Sequence, residues 1–308
     1  MINFTLKQLR YFDSLARAGH FGRAAEACAI SQPALSLQIK TLEDSLGMQL
    51  FERGPRQISL TGFGEDFAHR VRDILRSLDE LGDLARASRE GLMGRLRIGV
   101  IPTIAPYLLP TIIGNLAQKH ADLDIHVRET RTGNLLQELS EGRLDTAIVA
   151  LPVSEPSFTE VELFRENFVL VRPGSDKGKP VPTADSLRDL RLLLLEEGHC
   201  FRDQALSFCN IQSAMPRDGL DGSSLSTLVQ MVAAGIGVTL IPEMAVPVET
   251  RSASVSVARF KDPQPSRTVG MIWRNTSPLV DQLTQVCDVV RQSALAFRAS
   301  HLLGRTLA

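Results

Sequence analysis

The chain has 308 residues, a formal net charge of -1, 44% apolar and 22% charged residues, an ordinary globular composition with length for about two domains. That balance excludes a broadly basic protein, so any nucleic-acid footprint has to be local. Four cysteines do not make a disulfide scaffold, no His/Cys cluster has zinc spacing, and neither an 18-residue apolar run nor a basic leader with a cleavage site is read. The expectation is a cytosolic chain with no metal, cofactor or membrane partner.

Thr5 with Gln8 forms a capping box, and Leu6, Leu9, Phe12 and Leu15 follow at helical spacing until Gly19. A second helix starts near Phe21 and carries Ala24, Ala25 and Ala27. Ser31 is the N-cap of a third, where Pro33 falls in the tolerated first turn and Leu35, Ile39, Leu42 and Leu46 make one stripe ending at Gly47. Two short helices and a tight turn read as a helix-turn-helix. The buried stripe turns Gln32, Pro33, Ser36, Leu37 and Lys40 outward or sideways, and with Ser31 these are the candidate readers of bases and phosphates in a major groove. From Met1 to Thr61 there are seven basic and five acidic residues, so charge alone does not single out DNA, and a helical domain with a protein partner is the alternative. Leu50 to Leu60 suits a two-stranded wing whose Arg53 and Arg56 meet the phosphate backbone.

From Gly62 to Arg89, Phe63, Phe67, Val71, Ile74, Leu78, Leu81 and Leu84 recur at threes and fours, which suits a helix of about 40 Å forming a coiled-coil seam between two subunits. The alternative is a helix packed on its own domain, but the neighbouring sequence offers no core for it. A dimer fits a palindromic double-stranded site. Gly91 to Gly94 reads as a hinge. Beyond it, strands at 96–101, 124–128 and 146–151 alternate with helices at 107–118 and 135–141. A second cycle has strands at 168–172, 192–195 and 238–241 and a helix at 224–234. A strand at 269–273 and a long helix at 279–298 close the chain. This alternation predicts two α/β lobes, a largely parallel sheet and a cleft beyond the strand C-termini, where Thr103 and Thr132 lie.

Cys200 and Cys209 stand nine positions apart, and Arg202 to Ser207 between them reads as helix. Nine helical residues rise about 13.5 Å and turn about 900 degrees, whereas a disulfide needs Cα atoms within about 7 Å. If the segment is helical when reduced, bonding requires that it be rebuilt, and oxidation and shape change become one event. His199, Arg202 and a helix N-terminus are local candidates for activating the Cys200 thiol. Two small buried hydrophobes are the plainer alternative. Cys28 and Cys287 are assigned packing roles only.

Phe21-Gly22-Arg23-Ala24-Ala25, Ser31-Gln32-Pro33-Ala34-Leu35-Ser36, Leu42-Glu43 and Leu50-Phe51-Glu52-Arg53 resemble the signature of the LysR-type transcriptional regulators. Gly198-His199-Cys200, Arg202-Asp203-Gln204 and Phe208-Cys209 are similar to the peroxide-sensing members of that family, as are Ile101-Pro102-Thr103, Pro106 to Pro110, Val232 to Gly235 and Arg267 to Gly270. The resemblance covers essentially the whole chain. It implies a winged helix-turn-helix domain over 1–61, a linker and dimerisation helix over 62–90, and a regulatory domain over 91–308 of periplasmic-binding-protein type. Lobe I of that domain is expected at about 95–165 and 268–300, and lobe II at about 166–267. It further implies that Cys200 is the peroxidatic thiol and Cys209 the resolving one, with Thr103, Thr132, His199, Asp203 and Arg267 around the peroxide. The implied protein is no enzyme but a homodimeric or homotetrameric activator of oxidative-stress defence genes. Its expected partners are promoter DNA, RNA polymerase, hydrogen peroxide as signal, and a thiol reductant that resets it. A family member that binds a small metabolite in the cleft is the nearest alternative, and a thiol peroxidase is the alternative of another class.

Overall fold

The computed structural model describes residues 4–54, 58–87, 92–184, 186–209 and 221–303. Two compact units divide the chain, Met1–Ala85 and Arg86–Ala308.

In the first unit, α1 (Leu6–Ala18) opens with the Thr5/Gln8 capping box and closes at Gly19 in the left-handed conformation. α2 (Phe21–Ala27) and α3 (Gln32–Leu46) follow, Ser31 Oγ capping α3 by accepting the Ala34 N–H. β1 (Phe51–Arg53) and β2 (Ile58–Leu60) pair antiparallel as a short ribbon. The core gathers the apolar stripes of all three helices, with Phe12 at its centre against the rings of Phe51 (5.3 Å) and Phe67 (5.1 Å). Cys28 packs at its margin. A buried carboxylate joins α3 to the ribbon, because Glu43 Oε1 accepts the N–H groups of Leu50 (2.8 Å) and Phe51 (3.2 Å).

α4 (Gly62–Ala87) runs 26 residues, and its apolar seam is divided. Phe67, Ala68, Val71 and Leu75 belong to the core of the first unit, which corrects the expectation that nothing nearby supplies one. Ile74, Leu81 and Leu84, by contrast, are 46%, 63% and 56% exposed.

The second unit is built on one mixed sheet. Its elements in chain order are β3 (Gly94–Val100), α5 (Ala105–Lys119), β4 (Leu123–Glu129), α6 (Thr132–Ser140), β5 (Thr146–Leu151), β6 (Phe158–Pro173), β7 (Leu192–Leu193), α7 (Cys200–Phe208), α8 (Leu225–Ala233), β8 (Val238–Pro242), α9 (Val246–Glu249), β9 (Val255–Ala258), β10 (Ser266–Arg274) and α10 (Val280–Leu303). The strand order is β4-β3-β5-β10-β6-β8-β7, with β9 also on β6. β3 is parallel to β4 and to β5, and β7 to β8, but β10 and β6 pair antiparallel with each other and with their other neighbours. The expectation of a largely parallel sheet is therefore corrected. Its source is β6, a 16-residue strand of which only Phe168 to Val171 form a continuous apolar run.

β6, paired along its length with β10, runs from one hydrophobic core into another. The first core packs β3, β5, α5, α6 and α10 with Leu163 of β6, and the second packs Phe168 to Val171 of β6 with β7, β8, α7 and α8. These two cores, joined through β6, give two lobes. Where β10 pairs with β6, Gly270 marks a register shift, and a Cβ there would stand 2.2 Å from Leu151 Cδ1.

Candidate functional site

α7 is bounded by the two cysteines of the expected switch. Cys200 is its first residue, His199 its N-cap and Cys209 its C-cap, and the two cysteines are not joined by a disulfide. The helix is fixed by its inner face: Phe201, Ala205 and Leu206 are buried, and Phe201 meets Phe168 edge-on at 4.8 Å. The two sulfurs are thereby assigned to different cores. Cys200, half-buried, packs against the first core, whereas Cys209 is wholly buried in the second. The nine-residue helical separation anticipated for them is what the fold presents.

A small pocket of about 180 Å3, partly open to solvent, surrounds Cys200. Ile101, Pro102 and Thr103 reach it from the C-terminal end of β3, Arg131 and Thr132 from the start of α6, and His199 and Phe201 from beside the thiol. Thr132 Oγ1 is buried with no hydrogen-bond partner among the described residues. Thr103 Oγ1 accepts from Arg267 Nη1 at 2.7 Å. Arg267 itself does not line the pocket. It lies behind Thr103, fully buried, and pairs with Glu166 at 2.8 Å. Asp203 is exposed in the first turn of α7 and is not among the lining residues. Thus Thr103, Thr132, His199 and Cys200 come together, Arg267 touches that group through Thr103, and Asp203 and Cys209 stand apart from it.

The cations expected to activate the thiol are disposed otherwise. Burial, aided by the Arg131 charge, holds the His199 imidazole below the ordinary histidine range, so it is neutral at pH 7. Arg202 turns away, donating to the Leu195 carbonyl and the Asp221 carboxylate, each at 2.8 Å. What remains at Cys200 is the positive end of α7 and the guanidinium of Arg131 in the same pocket. Arg131 escaped the sequence reading although it adjoins Thr132. It donates to the Glu197 carbonyl (2.9 Å) and the Glu196 carboxylate (2.8 Å). Gly198, at φ +88°, lies so close beneath it that a Cβ would be 3.2 Å from Arg131 Cδ.

In the first unit, Gln32, Pro33, Leu37 and Lys40 are exposed on α3 and Ser36 is half-buried, while Ser31 serves as the cap. Leu37, at 62%, is the most exposed large hydrophobe of that helix, as a base-contacting apolar side chain requires. The side chain of Arg53 and the whole of Arg56 lie outside the described residues.

Comparison with known proteins covers both units. Residues 6–65 match the bacterial regulatory helix-turn-helix protein, lysR family, and residues 89–295 match the LysR substrate binding domain. A probable hydrogen peroxide-inducible genes activator of Streptomyces viridosporus is 42% identical over 296 residues, 94% of each chain. A full-length cysteine variant of Pseudomonas aeruginosa OxyR has a TM-score of 0.74 at 37% identity, covering 94% of this chain and 95% of that one. A cysteine mutant of Corynebacterium glutamicum OxyR with hydrogen peroxide bound has a TM-score of 0.67 at 34% identity, covering 98% and 97%.

Proposed function

The chain belongs to the LysR family of bacterial DNA-binding regulators, and from that premise we propose that it is a hydrogen peroxide sensor that activates oxidative-stress defence genes through a reversible Cys200–Cys209 disulfide. The observation that carries the proposal is the pocket at Cys200. It sets a thiol beside two threonine hydroxyls, those of Thr103 and Thr132, with His199 at the same wall. The peroxide-sensing names and the bound peroxide of its relatives support the same reading.

The chemistry takes two steps. The Cys200 thiolate attacks one peroxide oxygen, so an S–O bond forms and the O–O bond breaks. Sulfur loses two electrons, and the second oxygen leaves as hydroxide and is protonated to water. Thr103 and Thr132 hold the oxygens, neutral His199 borders them, Arg267 acts through Thr103, and Asp203 helps to place the proton for the leaving group. The Cys209 thiolate then attacks the sulfenic sulfur, closes the S–S bond and releases the oxygen as water. Because α7 separates the thiols, closure unwinds it. A cellular thiol system resets the switch by exchange.

The same reading makes Ser31, Gln32, Pro33, Ser36, Leu37 and Lys40 of α3, with Arg53 and Arg56 of the wing, the surface for palindromic promoter DNA. The exposed Ile74, Leu81 and Leu84 of α4 are the dimer seam, two dimers make a tetramer, and the bound tetramer recruits RNA polymerase in the cytosol. The test is a mass-spectrometric peptide map after one equivalent of peroxide, with remaining thiols alkylated under denaturing conditions. A Cys200–Cys209 link is expected, lost in Cys200→Ser while reduced-state DNA binding persists. Both thiols still free in the wild type would overturn the proposal and favour a metabolite effector. Sustained peroxide turnover with a thiol reductant would favour a peroxidase.

A further inference from the structure

Behind the pocket lies a chain of buried polar groups that ends on Glu166, to which the two-step chemistry gives no task. Glu166 of β6 and Arg267 of β10 are direct cross-strand partners, with side chains 3% and 0% exposed. Arg267 Nε donates to Glu166 Oε2 at 2.9 Å. Glu166 Oε1 accepts the Met244 N–H at 2.9 Å, so the carboxylate is itself fixed. The far edge of the guanidinium grips Thr103 twice, Nη1 on the hydroxyl at 2.7 Å and Nη2 on the carbonyl at 3.0 Å. The ring of Phe201, next to Cys200, lies 5.8 Å from the guanidinium carbon.

From this geometry we infer that Glu166 is a positioning residue for the peroxide step, acting through Arg267 to make the Thr103 hydroxyl a donor aimed into the Cys200 pocket. The inference rests on the reading of that pocket as the peroxide site. A threonine hydroxyl has a single hydrogen to give. Since Thr103 Oγ1 already accepts from a cation, its hydrogen is directed elsewhere, and a hydroxyl polarised in this way is a stronger donor. In the reaction the S–O bond forms as the O–O bond breaks, and negative charge gathers on the leaving oxygen before it is protonated. A donor already aimed at that oxygen stabilises the charge as it develops. Glu166 makes this possible because an uncompensated buried guanidinium would seek another anion or water and release Thr103.

The discriminating experiment compares two reagents on the reduced full-length chain. Peroxide needs a donor for its leaving oxygen, while iodoacetamide alkylates the same sulfur without one. In Glu166→Gln the rate of Cys200 oxidation should fall about tenfold or more with the alkylation rate at the wild-type value. Glu166→Gln should add no further loss in a Thr103→Val background. Parallel loss with both reagents, an unchanged peroxide rate, or full additivity with Thr103→Val overturns the inference. If Glu166→Gln does not fold, Arg267→Lys takes its place. It keeps a cation opposite Glu166 but cannot grip Thr103 twice, so the same selective loss is expected, and a wild-type peroxide rate overturns the inference. A wild-type chain inert to peroxide overturns the sensor reading as well, whereas a reactive wild type with an equally reactive variant overturns the inference alone.

Discussion

At the scale of single residues, burial and surroundings set Cys287 and Cys200 apart. Cys287 is 1% exposed, touches Met271 sulfur at 3.9 Å, and is pushed up to about 11 by burial, so its thiol stays protonated and inert at neutral pH. Cys200 has the pocket and the helix end. Its neighbour His199 yields a prediction with a definite sign. Because burial and Arg131 hold its folded-state pKa below the unfolded value near 6.5, the unfolded chain binds more protons in that range. The His199 contribution to stability is therefore complete above about pH 6.5 and is lost as pH falls from there through the depressed folded value. We predict that NMR titration of the reduced chain places the His199 midpoint below 6.5, and that Arg131→Ala moves it upward by removing the nearby charge. A midpoint unchanged by Arg131→Ala would mean that the guanidinium does not act on the imidazole.

At the scale of elements, the helices were the legible part. The Thr5/Gln8 box, the Ser31 cap and the stops at Gly19 and Gly47 use only local chemistry, and the structure has each where the sequence put it. The strand at 146–151 was equally plain, because a run buried on both faces stands out by composition. The part of β6 before Phe168 was not, since Thr159, Glu160, Glu162, Arg165 and Glu166 break its apolar character and its partners on β10 are about a hundred residues away. Missing that part hid the antiparallel pairing, and with it the facing of Glu166 and Arg267. Around the pocket, Cys200 and His199 were legible from the cysteine pair and Thr103 and Thr132 from the strand ends, with the resemblance joining them, whereas Arg131 and, behind the pocket, Glu166 are brought there by contacts that no local pattern encodes. Glu43 is a third such case. It lies inside the apolar stripe of α3, and its carboxylate satisfies the N–H groups of Leu50 and Phe51. We predict that Glu43→Ala destabilises the first unit by on the order of 1–3 kcal/mol, the cost of leaving such buried groups unpaired, seen as a lower urea midpoint for that unit and weaker binding of promoter DNA. An unchanged midpoint would show that water takes the place of the carboxylate.

At the scale of the whole molecule, the proposed signal depends on a competition between one covalent bond and the packing of α7. In the reduced chain Phe201, Ala205, Leu206 and Cys209 are all buried in the second core, while Cys200 packs against the first. Bringing Cys200 and Cys209 together requires that α7 be dismantled, so the burial of its apolar residues belongs to the reduced form and opposes the disulfide. For a two-electron couple, 30 mV corresponds to about 1.4 kcal/mol, and a rearrangement costing roughly 3 kcal/mol makes the disulfide about 60 mV more oxidising. The resulting bond is reducible by cellular thiols, as a resettable switch needs. The same reasoning says how to break the balance. Leu206 is 5% exposed, and buried Leu→Ala substitutions cost about 2–5 kcal/mol. If that burial is wholly lost on oxidation, Leu206→Ala weakens the reduced form alone. We predict that its disulfide becomes more stable by about 40–110 mV toward negative potential, measured by equilibrating the chain in glutathione buffers and counting free thiols after alkylation. The variant should then stay oxidised under conditions that reset the wild type and keep its target promoters active for longer. A potential within about 10 mV of the wild type, well under the shift that even 1.4 kcal/mol produces, would mean that Leu206 is equally buried in both forms. The mechanical link between the disulfide and the unwinding of α7 would then be lost, and the signal would have to leave the site by another route.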